Sequence, residues 1–324
     1  MTPPRRRDAW LAVALQLALV AAVAGAAVWL VHHALETLRA RGVRSGFDFL
    51  FDSAGFSLSE GWIAFDAGQP FWRAFLAGLV NTVRAAVPAV AIAVTVGTLL
   101  GIGRLASHAL LRGICGAYVE LVRNVPLLLQ LLMLYFALTQ LLPDATEPLE
   151  LLPGIWLGKG GLALPWPVDG RWEWPERGTF GVTGGAALSP EYLAITLALG
   201  FYSAAFVAEI VRAGIGSVAR GQVLAAQALG LTGAQELRLV VLPQALRVIV
   251  PALTNQLLSL TKNSSLAVAV GYPELVSVAN TSLNSTGRAF ECIAVVMAVY
   301  LALSLAISAA MNRYNAHVAL RGWS

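Results

Sequence analysis

At 324 residues, 57% hydrophobic and only 12% charged, with a mean hydropathy of +0.70, the chain has too little polar surface to coat a soluble globule and belongs in a membrane. A net charge of +4 would suit nucleic-acid binding in a soluble protein. Here the basic residues collect beside apolar runs, as positive-inside topology requires, so no nucleic-acid partner is expected.

A hydrocarbon core about 30 Å thick takes about 20 helical residues to cross. Six stretches reach that length: 10–31, 75–103, 117–142, 191–212, 247–270 and 290–311. They are continuous and rich in Ala, Leu, Val and Gly, without the alternation of membrane strands, which predicts an all-α integral membrane fold. Arg5, Arg6 and Arg7 precede the first run, and Arg104 and Arg112 follow the second. Arg212, Arg220 and Arg238 follow the fourth, and Arg313 and Arg321 end the chain. All lie on one side of the membrane, which places both termini in the cytoplasm. Arg39, Arg41, Arg44 and Arg73 oppose this bias from a long outer loop, where charge counts for less. The first run also fits a cleaved signal peptide, with an Arg-rich start and small residues at Ala24–Ala27, but its apolar length favours a retained helix.

Residues 32–74 hold Phe47, Phe49, Phe51, Phe56, Trp62, Phe65, Phe71 and Trp72, a density that suits a helix or hairpin lying at the membrane interface. In the second span Arg84 admits two readings. It can hold a substrate carboxylate bidentately, or it can snorkel outward or line a subunit contact. At the cytoplasmic entrance of the third span, Glu120 and Arg123 are spaced for an i, i+3 ion pair beside Asn124 and Pro126, and Pro126 can bend the helix there as the pivot of a gate. Glu209 and Arg212 repeat the spacing at the inner end of the fourth span. Residues 143–190, with seven prolines, several Trp and many Gly, predict an irregular external insertion capped by turns and serving as contact surface.

Between the fourth and fifth spans, Gly221–Arg247 is a moderately polar, helix-forming segment punctuated by Gly and Pro. Helix formers fill Gln222–Leu229, Gly230 suits a positive φ, and a second helix is expected over Gly233–Leu242. Ala225, Ala226 and Ala228 keep the first helix thin enough for a groove on another protein, while Leu224, Leu229 and Leu231 offer apolar anchors. Pro243 suits the first turn of the next span. An amphipathic connector bound only to lipid is the plainer alternative. In the fifth span Lys262, Asn263, Ser264 and Ser265 form a polar cluster near the depth where transporters place substrates, although interhelical hydrogen bonding explains such residues equally well.

These residues carry a resemblance. Gly221, Gln222, Ala225, Ala226, Ala228, Leu229, Gly230, Leu242, Pro243, Gln244 and Arg247 resemble the EAA loop of polar amino acid ABC importer permeases. So do Gly78, Asn81 and Thr82 in the second span, Glu120, Arg123, Asn124, Pro126 and Gln130 around the third, and Thr261–Leu266 with Gly271–Pro273 after the fifth. The similarity covers roughly residues 74–313. The insertion and the TKNSSLAVAVGYPEL segment are most similar to the general L-amino-acid permeases.

The resemblance implies a type I ABC importer permease with an N-terminal helix and external loop (1–73), a five-helix core (74–313) containing the insertion 143–190 and a cytoplasmic coupling loop (213–246), and a short tail (314–324). It implies a multi-pass inner-membrane subunit importing polar L-amino acids by alternating access. The implied partners are a cytoplasmic ABC ATPase dimer, a second homologous permease and a periplasmic amino-acid-binding protein. ATP is used by the ATPase, and this chain carries no cofactor. By this reading Gly221, Leu224, Ala225, Ala226, Ala228, Gly230 and Pro243 couple to the ATPase. Leu224 stands where the family signature has Glu, so the usual acidic contact is expected to come from an unlike partner permease.

No nucleotide-binding loop is present, because Gly158-Lys159 is followed by Gly160 instead of Ser or Thr. Cys115, Cys292 and the four histidines have no companions at metal or catalytic spacing. A secondary transporter driven by protons or sodium is the main rival on sequence grounds, and a membrane enzyme or scaffold the weaker one.

Overall fold

The computed structural model describes residues 6–40, 45–168 and 170–320. Of the charge-pattern residues, Arg5, Arg41, Arg44 and Arg321 lie outside the described residues. Among the described residues ten helices form the frame: α1 (Arg6–Ala40), α2 (Phe71–Gly103), α3 (Ala109–Asn124), α4 (Leu127–Phe136), α5 (Pro190–Gly216), α6 (Arg220–Ala228), α7 (Gly233–Glu236), α8 (Leu242–Asn263), α9 (Leu275–Thr286) and α10 (Ala289–Leu320). Four helical stretches are each long and apolar enough to cross a bilayer: α2, α5, the continuous helix Gly233–Val270, and Ala289–Asn315. The pair α3 and α4 forms a fifth, broken span bent by 101°, and α1 contributes a shorter apolar stretch, Ala14–Leu30. The third run is therefore not one straight helix over 117–142. Pro126 caps α4, and the Gln130 side-chain amide donates to the carbonyls of Val122 and Val125 at 2.8 Å, satisfying acceptors freed by the break.

The core is built on α2 against α5. Membrane helices gain little from hydrophobic exclusion in lipid, so close packing of small residues must hold them. A Cβ added at Gly97 would lie 2.6 Å from Val207 Cβ and 2.7 Å from the Ala204 carbonyl, and one at Gly101 would lie 2.8 Å from the Ala208 carbonyl. Ala85, Ala89 and Ala93 of α2 are buried with Ala194, Ile195 and Leu199 of α5. The second face of α5 receives α8, where Gly214 admits Ile249.

The aromatic-rich loop folds back on itself, with an antiparallel bridge between Ser53 and Pro70 and Ala54 N donating to the Gln69 carbonyl at 2.9 Å. Residues 45–70 form a strap packed on the N-terminal end of α2, on α9 and on the start of α10, and Phe49, Phe65 and Phe71 are buried in one cluster with Phe75, Leu275 and Val278. Ring contacts explain the aromatic density, with Phe49–Phe71 at 5.4 Å and Phe56–Phe65 at 5.8 Å. Phe47, Phe51, Trp62 and Trp72 remain exposed.

The insertion is likewise not irregular. It folds into eight strands: β1 (Leu149–Leu152), β2 (Ile155–Gly158), β3 (Gly161–Leu164), β4 (Trp166–Val168), β5 (Arg171–Glu173), β6 (Glu176–Gly178), β7 (Gly181–Thr183) and β8 (Ala186–Leu188). One sheet has the order β1-β2-β3-β8, and β4-β5 and β6-β7 form two hairpins, all pairs antiparallel. Strands of three or four residues are too short to show an alternating pattern.

Where α8 ends, a 3-10 segment (Ser264–Val270) and Gly271 at φ +82° turn the chain into α9. Glu274 caps that helix, accepting from Ser277 N at 2.8 Å and from Tyr300 Oη at 3.2 Å, and is fully buried. Burial pushes its carboxyl up to about 7, against hydrogen bonds that lower it. A carboxyl whose folded pKa is raised favours the folded chain at acid pH, and that contribution is lost as pH rises from about 4.5 through about 7. Glu274→Gln keeps both hydrogen-bonding positions without the charge. The variant is expected to melt higher than the parent at pH 8 in detergent and equally below about pH 5. Identical melting at both pH values would refute this.

Candidate functional site

Two features occupy one continuous helix. At its N-terminal foot, α6 and α7 form the expected helix-turn-helix, with Gly230 at φ +77°. Thr232 and Gln235 make a reciprocal capping box at the start of α7. The Gln244 amide donates to Gln222 Oε1 at 2.5 Å and the Gln227 amide to Glu236 Oε2 at 3.0 Å, so α6 is tied back onto the foot of the span. Ala226 is buried within the chain, whereas Gly221, Ala225 and Ala228 are exposed. Leu224 and Leu229 are 63% and 82% exposed, and Leu231 is half-buried.

The second expected helix does not stop at Leu242. It passes through a π turn (Leu237–Val241) straight into α8. Pro243 is thus not at the free start of a span but inside a continuous helix. The wider preceding turn accommodates a residue that has no N–H to donate. From Gly233 to Asn263 such a helix is about 45 Å long at 1.5 Å per residue.

Toward its other end, Lys262 is exposed and has no ionic partner among the described residues, Asn263 and Ser265 are half-buried, and Ser264 is buried, donating to the Thr261 carbonyl at 2.7 Å. The four polar residues therefore do not converge on one point. A different set does share a face: Asn255, Ser259 and Lys262 are exposed, spaced four and three apart. Sequence reasoning passed over Asn255 and Ser259, though their spacing with Lys262 is a readable signal. Lysine and asparagine facing lipid are costly, so this stripe is built for protein, water or a solute.

Arg84 is only 9% exposed and donates to Glu60 Oε2 at 3.2 Å, with its guanidinium 4.4 Å above the Tyr192 ring. Glu60 comes from the strap, 24 positions earlier, and also accepts from Ser189 Oγ. Near the break of the third span, Glu120 and Arg123 do not pair. Arg123 lies over the Phe206 ring at 5.2 Å, and both side chains are exposed, as are Asn124 and Pro126 at the 101° break. Glu209 does pair with Arg212 and binds Arg104, the residue that ends α2, as well, joining the C-terminal ends of α2 and α5.

A broken third span, a hairpin at the foot of a long helix and a polar stripe along that helix are transporter features. Residues 93–320 match the family model for the binding-protein-dependent transport system inner membrane component. The chain belongs to this family. It is 37% identical to the putative amino-acid ABC transporter permease protein YhdX of Escherichia coli K12, covering 96% of this chain and 94% of that protein. It is 36% identical to the general L-amino acid transport system permease protein AapQ of Rhizobium johnstonii, covering 94% and 91%. Among solved structures, the crystal structure of an amino acid ABC transporter with histidines superposes with a TM-score of 0.58 at 28% identity, covering 76% of this chain and 95% of that one. The chain is a multi-pass inner-membrane permease component with the type I importer fold, as the resemblance implied.

Proposed function

We propose that this permease imports polar L-amino acids together with a second, homologous permease, a cytoplasmic ATPase dimer and a periplasmic binding protein, with both of its own termini in the cytoplasm. The observation that carries the proposal is the continuity of the helix Gly233–Val270. The exposed leucines of the tethered hairpin stand at one end of it and the exposed Asn255–Ser259–Lys262 stripe toward the other, so a push on the hairpin displaces the stripe as one body. Gly221, Leu224, Ala225, Ala228 and Leu229 form the ATPase-facing surface, Gly230 shapes its turn and Ala226 packs it. ATP is bound and hydrolysed in the partner, and this chain needs no cofactor of its own.

In this reading the stripe lines the pathway between the two permeases, and Lys262 offers an ammonium donor to the α-carboxylate that all amino acids share. Arg84 already has its charge answered by Glu60 and meets a substrate carboxylate only if Glu60 withdraws. The bend at Pro126, flanked by Glu120, Arg123 and Asn124, supplies the inner gate with a pivot. Nucleotide and loaded binding protein must each favour one conformation over the other, since a ligand shifts an equilibrium only by its differential affinity.

Lys262→Gln tests the pathway. A hydrogen bond to a charged group contributes about 1.5–3 kcal/mol, which corresponds to a loss of about tenfold or more in uptake by the reconstituted complex with assembly unchanged. Unaltered uptake would remove Lys262 from the pathway.

A further inference from the structure

The strap is fastened by two different chemistries. At its base, where its two ends lie side by side, the fastening is largely apolar, with Phe49 and Phe65 buried against Phe71, Phe75 and Leu275. Arg288, at the head of α10, reinforces it by donating to Asp48 at 2.5 and 3.1 Å and to the Gly46 carbonyl at 2.6 Å, and Glu291 accepts from Gly46 N at 2.7 Å. At Glu60 the fastening is polar. Ser59, Gly61 and Trp62 are exposed, while the Glu60 side chain turns inward and is 17% exposed. Its carboxylate accepts from Arg84 of α2 and from Ser189, the residue that caps α5, and its carbonyl accepts from Asn81 Nδ2 at 3.0 Å. One side chain thus joins the strap, α2 and the junction between the insertion and α5.

A buried ion pair is a poor way simply to stabilise a contact, because the desolvation of both charges offsets most of their attraction, and apolar residues of similar volume often do as well or better. Such a pair differs from the aromatic cluster in what happens on separation. Parted phenylalanines expose apolar surface to water, whereas parted Glu60 and Arg84 regain hydration. We propose that Glu60 is a latch: the strap pivots on its aromatic base, and the contacts of Glu60, near its tip, with Arg84 and Ser189 break each time the pathway opens outward. Closed, the latch holds the outer ends of α2 and α5 in register. This rests on the transport reading above.

The test uses the complete complex in liposomes. Glu60→Cys with Ser189→Cys is bridged by a short, reducible bis-methanethiosulfonate linker, with each single-cysteine variant as control, Cys115 and Cys292 being buried. Bridging is expected to lower uptake about tenfold or more, and reduction to restore it. Uptake untouched by a complete bridge overturns the latch. Should the double variant fail to assemble, Glu60→Gln decides. It keeps the side-chain shape but weakens the hold on Arg84, and is expected to raise ATP hydrolysis without binding protein about threefold or more. An unchanged rate overturns the latch. Absence of both uptake and ATP hydrolysis in the unmodified complex sinks the transport reading, and the latch with it.

Discussion

Gly97→Leu is expected to abolish recovery of folded permease. The site faces α5 at backbone distance, with a new Cβ meeting Val207 at 2.6 Å and the Ala204 carbonyl at 2.7 Å. Extra methylenes in a core that can relax cost about 1–3 kcal/mol. Here the obstacle includes a carbonyl in the middle of a helix, which cannot rotate away, so α2 and α5 must separate along their shared length and the cost exceeds that range. Monodisperse protein after detergent extraction is expected to fall about tenfold or more. Leu99→Ala, two residues away on an exposed position, is expected to change yield little, since surface substitutions stay within about 0.5 kcal/mol. Comparable yields from the two variants would show that the close approach of α2 and α5 does not hold the fold.

The second large effect is expected at the hairpin. Leu224→Ser with Leu229→Ser removes the two most exposed apolar side chains of the coupling surface without touching the buried Ala226 or the glutamine ties to α8. Truncating anchors at the centre of an interface costs about 2 kcal/mol or more each. ATP-driven uptake should fall about thirtyfold or more while extraction and melting of the permease stay normal, and the ATPase should dissociate on purification. Full uptake with a bound ATPase would contradict the assignment of this surface. The absent glutamate at Leu224 sharpens the test. If an unlike permease supplies the acidic contact, restoring Leu224→Glu does not raise uptake in the native complex.

The second, fourth, fifth and sixth spans, the hairpin and the positive φ of Gly230 were legible because each depends on local properties: apolar run length, helix propensity and the freedom of glycine. The bend at Pro126 was legible in kind but not in size, because its angle depends on Gln130 reaching back to two carbonyls. What escaped the sequence depends on contacts between distant segments. Nothing near Arg84 predicts Glu60, which arrives from an outer loop. Nothing in the loop shows that Phe49, Phe65 and Phe71 turn inward while Phe47 and Phe51 do not. The i, i+3 rule placed Glu209 beside Arg212 correctly and failed for Glu120 and Arg123, where Phe206 of another helix provides a competing surface for the guanidinium. Asn255 and Ser259 were within reach, since their register with Lys262 marks one face of a helix otherwise read as apolar.

The central claim is that the helix Gly233–Val270 transmits ATP-driven force to a pathway for polar amino acids. Uptake of a labelled polar amino acid into liposomes tests it most directly, using the complex purified from native membranes, supplied with binding protein outside and ATP inside, with ionophores collapsing the proton and sodium gradients. Uptake is expected to survive the ionophores and to stop when ATP is withdrawn. Uptake that persists without ATP and collapses with an ion gradient would contradict it.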